Sequence, residues 1–219
     1  MILRSLLLSA FVLLSSIIGG APRSFAASDG IPGASIVSDL GSRALAAMRN
    51  GDTAAARQGR LRQLFSQYFD VEACARSALG PHWQNATAQQ RQEYVELYED
   101  YVVIGYSAYL GVLGGESLKV LGSQPDEEGV IVTSWVTGIN APIRIDWQLN
   151  PTNHGYKVTD VIVDGVSIAT TQHAELVSFI QRNSGHVPVL LVALREKNAS
   201  NGILRYRLIP LSQVGQYVV

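Results

Sequence analysis

Four histidines, a single cysteine and a few aspartates near a β-rich run are the side chains here that could do chemistry. The histidines, His82, His154, His173 and His186, form no HxH or HxxxH pair, the spacings that put two imidazoles on one strand or helix face as metal ligands. They read as satisfied or solvent-exposed rings. Cys74 lies in VEACARSAL, one face of a short helix, where a buried, inert thiol is expected. GYSAY, Gly105 to Tyr109, has the outline of a nucleophile elbow but lacks its last glycine and sits inside a helical pattern. Asp146 stands beside Arg144 and reads as outward-facing; Asp164 precedes Gly165 and reads as a turn former. Asp160 is the acid best placed to face an interior and move a proton.

Composition narrows the classes further. The chain has 219 residues, 47% hydrophobic and 16% charged, which implies a greasy globular domain rather than disorder. Seventeen basic against eighteen acidic residues give a net charge of −1 and no basic footprint for nucleic acid. MILRSLLLSAFVLLSSIIGG carries Arg4 and then an apolar block from Leu6 to Ile18, followed by Ser24-Phe25-Ala26. This reads as a secretory signal cut near Ala26, too short for a comfortable membrane span, with an uncleaved anchor as the alternative. No cysteine near the cut offers a lipid attachment point there. Cleavage removes Arg4 and Arg23 and leaves a net charge of −3. A lone cysteine makes no internal disulfide, so packing must hold an exported domain together. The expected organisation is a signal over 1–26, one α+β domain over 27–199, and a tail over 200–219 that is apolar, aperiodic and without an assigned role.

The elements follow from periodicity. Ile36, Leu40, Ala44, Ala47 and Met48 recur at helical spacing up to Asn50-Gly51-Asp52. A second helix over Thr53 to Phe69 carries Leu61, Leu64, Phe65 and Tyr68 on one stripe. Asp70 is the expected N-cap of a short helix ending at Leu79, before Gly80-Pro81. Thr87-Ala88-Gln89-Gln90 fits a capping box opening a long helix to about Val112. On that helix Tyr94, Leu97, Tyr98, Tyr101, Ile104, Gly105 and Ala108 share one broad apolar side. The period then becomes two, with strands at Leu118 to Val120, Val130 to Gly138, after Pro142, and Tyr156 to Val163. In the third, Ile143, Ile145, Trp147 and Leu149 alternate with Arg144, Asp146 and Gln148. Helices over Val166 to Arg182 and Pro188 to Asn198 finish the domain. The fold class is therefore α+β: helices packed on one face of a curved four-stranded antiparallel sheet.

Both layers carry an excess of apolar and aromatic side chains. A Tyr-rich helix opposite Trp135 and Trp147 offers bulky walls with polar tips, as at a ligand cavity. Periodicity alone favours a packed core over a cavity.

The run NATAQQRQEYVELYEDYVVIGYSAYL, then PIRIDWQLN, then YKVTDVIVDGVSIATTQHAELVSFIQRNSG and LLVALREK, resembles the periplasmic phospholipid-binding proteins of the Mla lipid-transport pathway. This is the MlaC or toluene-tolerance family, with its hopanoid-biosynthesis-associated branch HpnM. The likeness spans Phe65 to Lys197; T-x-x-Q-R from Thr87 to Arg91, VIVDGVS after Asp160, and a signal segment without a lipobox carry it most specifically. It implies a periplasmic carrier whose deep apolar pocket takes acyl chains and leaves the head group outside. It also implies shuttling between an inner-membrane ABC-type complex and an outer-membrane lipoprotein/porin complex. No catalytic residue and no cofactor come with it, only a bound lipid as cargo, phospholipid first and a hopanoid-type lipid second.

The pocket so implied draws Phe65 and Phe69 from the second helix and Leu97, Tyr98, Tyr101 and Ile104 from the long one. The sheet would add Val132, Trp135, Ile143, Ile145, Trp147, Val161 and Val163. The corner after Asp164-Gly165 and its helix would add Val166, Ile168, Leu176 and Phe179. The HVPVLL entry to the last helix and the tail after Asn198 depart from the family pattern. Two other readings stay open: a membrane-tethered scaffold of the same fold without cargo exchange, and an enzyme for an apolar substrate with Asp160 facing inward.

Overall fold

The computed structural model describes residues 31–49, 53–113, 117–138, 141–183 and 185–199. The signal over 1–26, the helix stop at Asn50-Gly51-Asp52 and the tail over 200–219 lie outside the described residues. Helices α1 (Ala34–Arg49), α2 (Ala54–Tyr68), α3 (Val71–Leu79), α4 (His82–Asn85) and α5 (Ala88–Leu113) precede strands β1 (Ser117–Pro125), β2 (Val130–Thr137), β3 (Ile143–Thr152), β4 (Gly155–Val163) and β5 (Val166–Ser167). Helices α6 (Ile168–Arg182) and α7 (Val187–Ala199) follow.

Side-chain caps fix most of the helix starts. The Thr53 hydroxyl accepts from the Ala56 amide at 3.2 Å, and the Asp70 carboxylate from the Ala73 amide at 2.9 Å. At α5 the capping box closes both ways: Thr87 N–H donates to Gln90 Oε1 at 2.9 Å and Gln90 N–H to Thr87 Oγ1 at 3.2 Å. Arg91 completes that motif by reaching back to α4, the one helix not anticipated. Its guanidinium donates to the carbonyls of Trp83 and Gln84, at 2.9 and 3.3 Å, and lies 5.5 Å over the Trp83 ring. Gly80 ends α3 at φ +55°, and a Cβ there would sit 2.2 Å from the His173 ring, so α3 and α6 meet across a missing side chain.

The sheet is an antiparallel meander in the order β1-β2-β3-β4-β5. Among the described residues it has five strands where four were expected. Asp164 and Gly165 both take positive φ, 47° and 87°, and form a two-residue turn. Such turns match the twist of paired strands, so the chain folds straight back and pairs Val166 with Val163 and Ser167 with Ile162. Helix α6 therefore starts at Ile168 rather than Val166, with the Ser167 hydroxyl accepting from the Thr170 amide at 2.9 Å. Extra residues at Leu121 in β1 and Thr159 in β4 shift the registers. The second shift keeps both Val158 and Val161 on the inner face, opposite Leu149 and Trp147.

Two apolar clusters result. One lies among α3 to α7, with Leu79, Tyr94 and Ile180 fully buried. The other joins α1 and α2 to the inner sheet face through Val37, Leu40, Leu64, Val132, Leu149 and Val158.

Candidate functional site

Between these clusters the side chains do not close up. A half-enclosed cavity of about 250 Å³ remains, with a wall that is almost wholly apolar. Period-two alternation and the strand register build one side of it. Ile143, Ile145 and Trp147 point inward from β3, with Val136 beside them on β2 and Val161 and Val163 on β4. Helix α5 supplies Tyr98, Val102, Val103 and Tyr106, and α2 supplies Leu61, Leu64 and Phe65, with Phe69 just beyond its end. Helix α1 closes the remaining side with Leu40, Gly41, Ala44 and Leu45. Ile168, Ala169 and Gln172 of α6 and Cys74 of α3 complete the ring.

The few polar atoms on this wall are mostly tied off. The Trp147 indole N–H donates to Ser134 Oγ at 2.8 Å, and Ser134 Oγ donates to the Ile145 carbonyl at 3.2 Å. The Cys74 thiol donates to the Thr159 carbonyl at 3.3 Å, and burial pushes it up to about 12, so it stays neutral and unreactive. The Tyr98 hydroxyl donates to Gln172 Oε1, and burial holds it well above its ordinary value. Asp160 sits at the rim. Its carboxylate accepts from the Val161 amide at 2.7 Å, the Ala169 amide at 2.9 Å and the Ser167 hydroxyl at 2.5 Å. These donors make it the anchor of the first turn of α6, where negative charge is favoured.

Of the residues expected in the pocket, Phe65, Phe69, Tyr98, Ile143, Ile145, Trp147, Val161, Val163 and Ile168 stand on the cavity wall. The structure puts the others elsewhere. Leu97, Tyr101, Leu176 and Phe179 belong to the helical cluster. For Leu97 and Tyr101 the reason is α7, which runs alongside α5: Asn198 Nδ2 donates to the Leu97 carbonyl at 3.0 Å, and the Lys197 ammonium lies 4.8 Å over the Tyr101 ring. Tyr101 itself donates to Glu175 at 3.0 Å. Ile104 is half-buried off the wall. Val132 is fully buried in the packed end of the sheet. Trp135 is out of phase with Ser134 and Val136 and lies on the outer face opposite Arg144. Val166 is half-buried in β5 and not on the wall. The wall residues missed in the sequence include all four from α1, Leu40, Gly41, Ala44 and Leu45, and the α5 residues Val102, Val103 and Tyr106. At Gly41 the missing side chain lets Leu118 of β1 come close, since a Cβ there would lie 2.5 Å from Leu118 Cδ1. Among the described residues no three His, Cys, Asp or Glu side chains are grouped as a metal site.

The model of the MlaC protein family matches residues 39–196, a span that contains every residue of the cavity wall. The chain belongs to the MlaC family. A solved structure of similar fold is the phospholipid-binding protein from Ralstonia solanacearum in complex with a phospholipid. The two superpose with a TM-score of 0.65 at 22% identity, over 76% of this chain and 97% of that one. In this MlaC chain, the T-x-x-Q-R motif from Thr87 to Arg91 is structural, since it caps α5 and holds α4 against it.

Proposed function

We propose that this protein is a periplasmic lipid carrier whose cavity shelters hydrocarbon chains while the polar head stays outside. In this reading it moves a phospholipid, or a hopanoid-type lipid, between an inner-membrane ABC-type complex and an outer-membrane lipoprotein/porin complex. The observation that carries it is the 250 Å³ cavity with its apolar wall, in a chain of the MlaC family. Each methylene moved from hydrocarbon into water costs ~0.8 kcal/mol, so about thirty of them cost on the order of 24 kcal/mol. A carrier removes that barrier by offering a surround nearly as apolar as the membrane, which also keeps transfer close to balanced at each end. Among the described residues of the wall there is no Lys or Arg, which fits easy release.

Mass spectrometry of an organic extract of the purified protein tests this. A two-chain lipid at about one per protein is expected. A protein that emerges empty and takes up no lipid from vesicles would overturn the carrier reading and leave a scaffold of the same fold.

A further inference from the structure

Among the described residues, Gln172 is a polar residue of the cavity wall with a hydrogen-bond donor left over. It is 5% exposed and lies on the second turn of α6. Its Oε1 accepts from the Tyr98 hydroxyl. That hydroxyl has no other acceptor among the described residues, and burial keeps it protonated. It must therefore donate, which fixes the end of the amide it meets and leaves the Nε2 amino group over. Nε2 has no protein acceptor among the described residues, while the side chain faces the cavity. The indole of Trp147 and the thiol of Cys74, by contrast, each have a protein acceptor. A donor that faces an apolar cavity gains a hydrogen bond when a ligand brings an acceptor atom to it.

The position of the donor narrows the ligand. Thr159, Asp160 and Ala169 line both this cavity and a polar groove outside it, and Gln172 stands one helical turn from Ala169. The free amide thus lies near the level where apolar interior gives way to polar exterior. In a lipid with ester-linked chains, the carbonyl oxygens occupy that level.

We propose that Gln172 reads the cargo by donating a hydrogen bond from Nε2 to an acceptor oxygen on an otherwise hydrocarbon ligand, the ester carbonyl of a diacyl lipid. This rests on the carrier reading and names a chemical requirement within it. The site then prefers a lipid with an oxygen at that depth over one of equal length without it.

The test is competition against a fluorescent acyl probe, using the full mature chain. Dipalmitoyl phosphatidylethanolamine is compared with its dihexadecyl ether analogue, which lacks the carbonyls. A second pair, 12-hydroxystearic and stearic acid, asks whether the acceptor is a chain hydroxyl instead. The wild type is expected to favour the diester by roughly fivefold to tenfold. Gln172→Met, close in shape but without a donor, should bring that ratio to about one. A ratio that collapses only for the hydroxystearate pair keeps Gln172 as the reader and moves its acceptor to a chain hydroxyl. If the single variant does not fold, Tyr98→Phe with Gln172→Met removes both hydrogen-bonding partners and supplies the same ratio. Binding of all four lipids with no Gln172-dependent preference overturns the inference alone; binding of none overturns it together with the carrier reading.

Discussion

The helical cluster and the cavity use the same kinds of side chain and share helices α2, α3, α5 and α6, yet one is filled and the other is not. In the first, Leu79, Tyr94 and Ile180 are sealed by their neighbours. In the second, α5, α1 and the sheet stand apart around about 250 Å³. At ~24 cal/mol per Å³ of unfilled volume, a 250 Å³ void forgoes on the order of 6 kcal/mol relative to a closed core. That is comparable with the whole stability of many domains, roughly 5–15 kcal/mol. Composition does not separate the two regions. What separates them is whether the elements can approach, and here β-strand register and small residues on α1 decide the spacing while α7 decides what α5 buries.

Alkaline titration should separate the regions most sharply. The Cys74 thiol, shared by the cavity wall and the helical cluster, is pushed from its ordinary 9.0 to about 12 by burial, while Tyr94 and Tyr101, off the wall, are raised from 10.0. Between these ordinary values and the folded ones, the unfolded chain holds fewer protons, so stability is intact below about pH 9 and falls as pH rises. Each group contributes a slope of up to about 1.4 kcal/mol per pH unit. Urea denaturation of Cys74→Ala should show the decline beginning nearer pH 10, where the tyrosines take over. An onset unmoved by that substitution would mean that the cavity wall is wet.

Truncation gives the next largest difference. Ile180→Ala, in the filled region, should lose about 2–5 kcal/mol, whereas Ile145→Ala, which already faces open space, should lose about 1–2 kcal/mol. Equal losses in chemical denaturation would mean that the cavity is closed in solution. The smallest change in stability is expected for Ala44→Leu, which places methyl groups into the void. Thermal melting should move by less than about 1 kcal/mol in equivalent free energy, in either direction, while lipid uptake from vesicles drops. Uptake at the wild-type level would remove Ala44 from the binding surface.

Much of this architecture is legible in the sequence. The capping box at Thr87, the Asp70 cap and the alternation of Ile143, Ile145 and Trp147 are local signals, and each element formed where its own residues placed it. The corner after β4 was less well read. Asp164-Gly165 is the pair expected at a tight hairpin, but the helical pattern beyond it hid the two residues of β5. The wall divides in the same way. Strand residues on the inner phase were identifiable by alternation, and Trp135 was lost by one step of it. On α5 the apolar stripe is wide enough for two neighbours, and nothing local says that Leu97 and Tyr101 turn away from the cavity while Val102 and Val103 line it. Gln172 was invisible for the opposite reason: a lone glutamine on a helix gains its meaning from the Tyr98 hydroxyl, 74 positions away.

The relay from the Trp147 indole through Ser134 to the Ile145 carbonyl reaches further than the strands it links. By turning its strongest hydrogen-bond donor into the sheet, the widest aromatic plane of the lining shows only carbon to whatever lies against it. A hydrocarbon tail there meets a lubricated sleeve: it can rotate about its long axis and slide without breaking a directional contact. Departure is then governed by the far end of the molecule rather than by friction along its length.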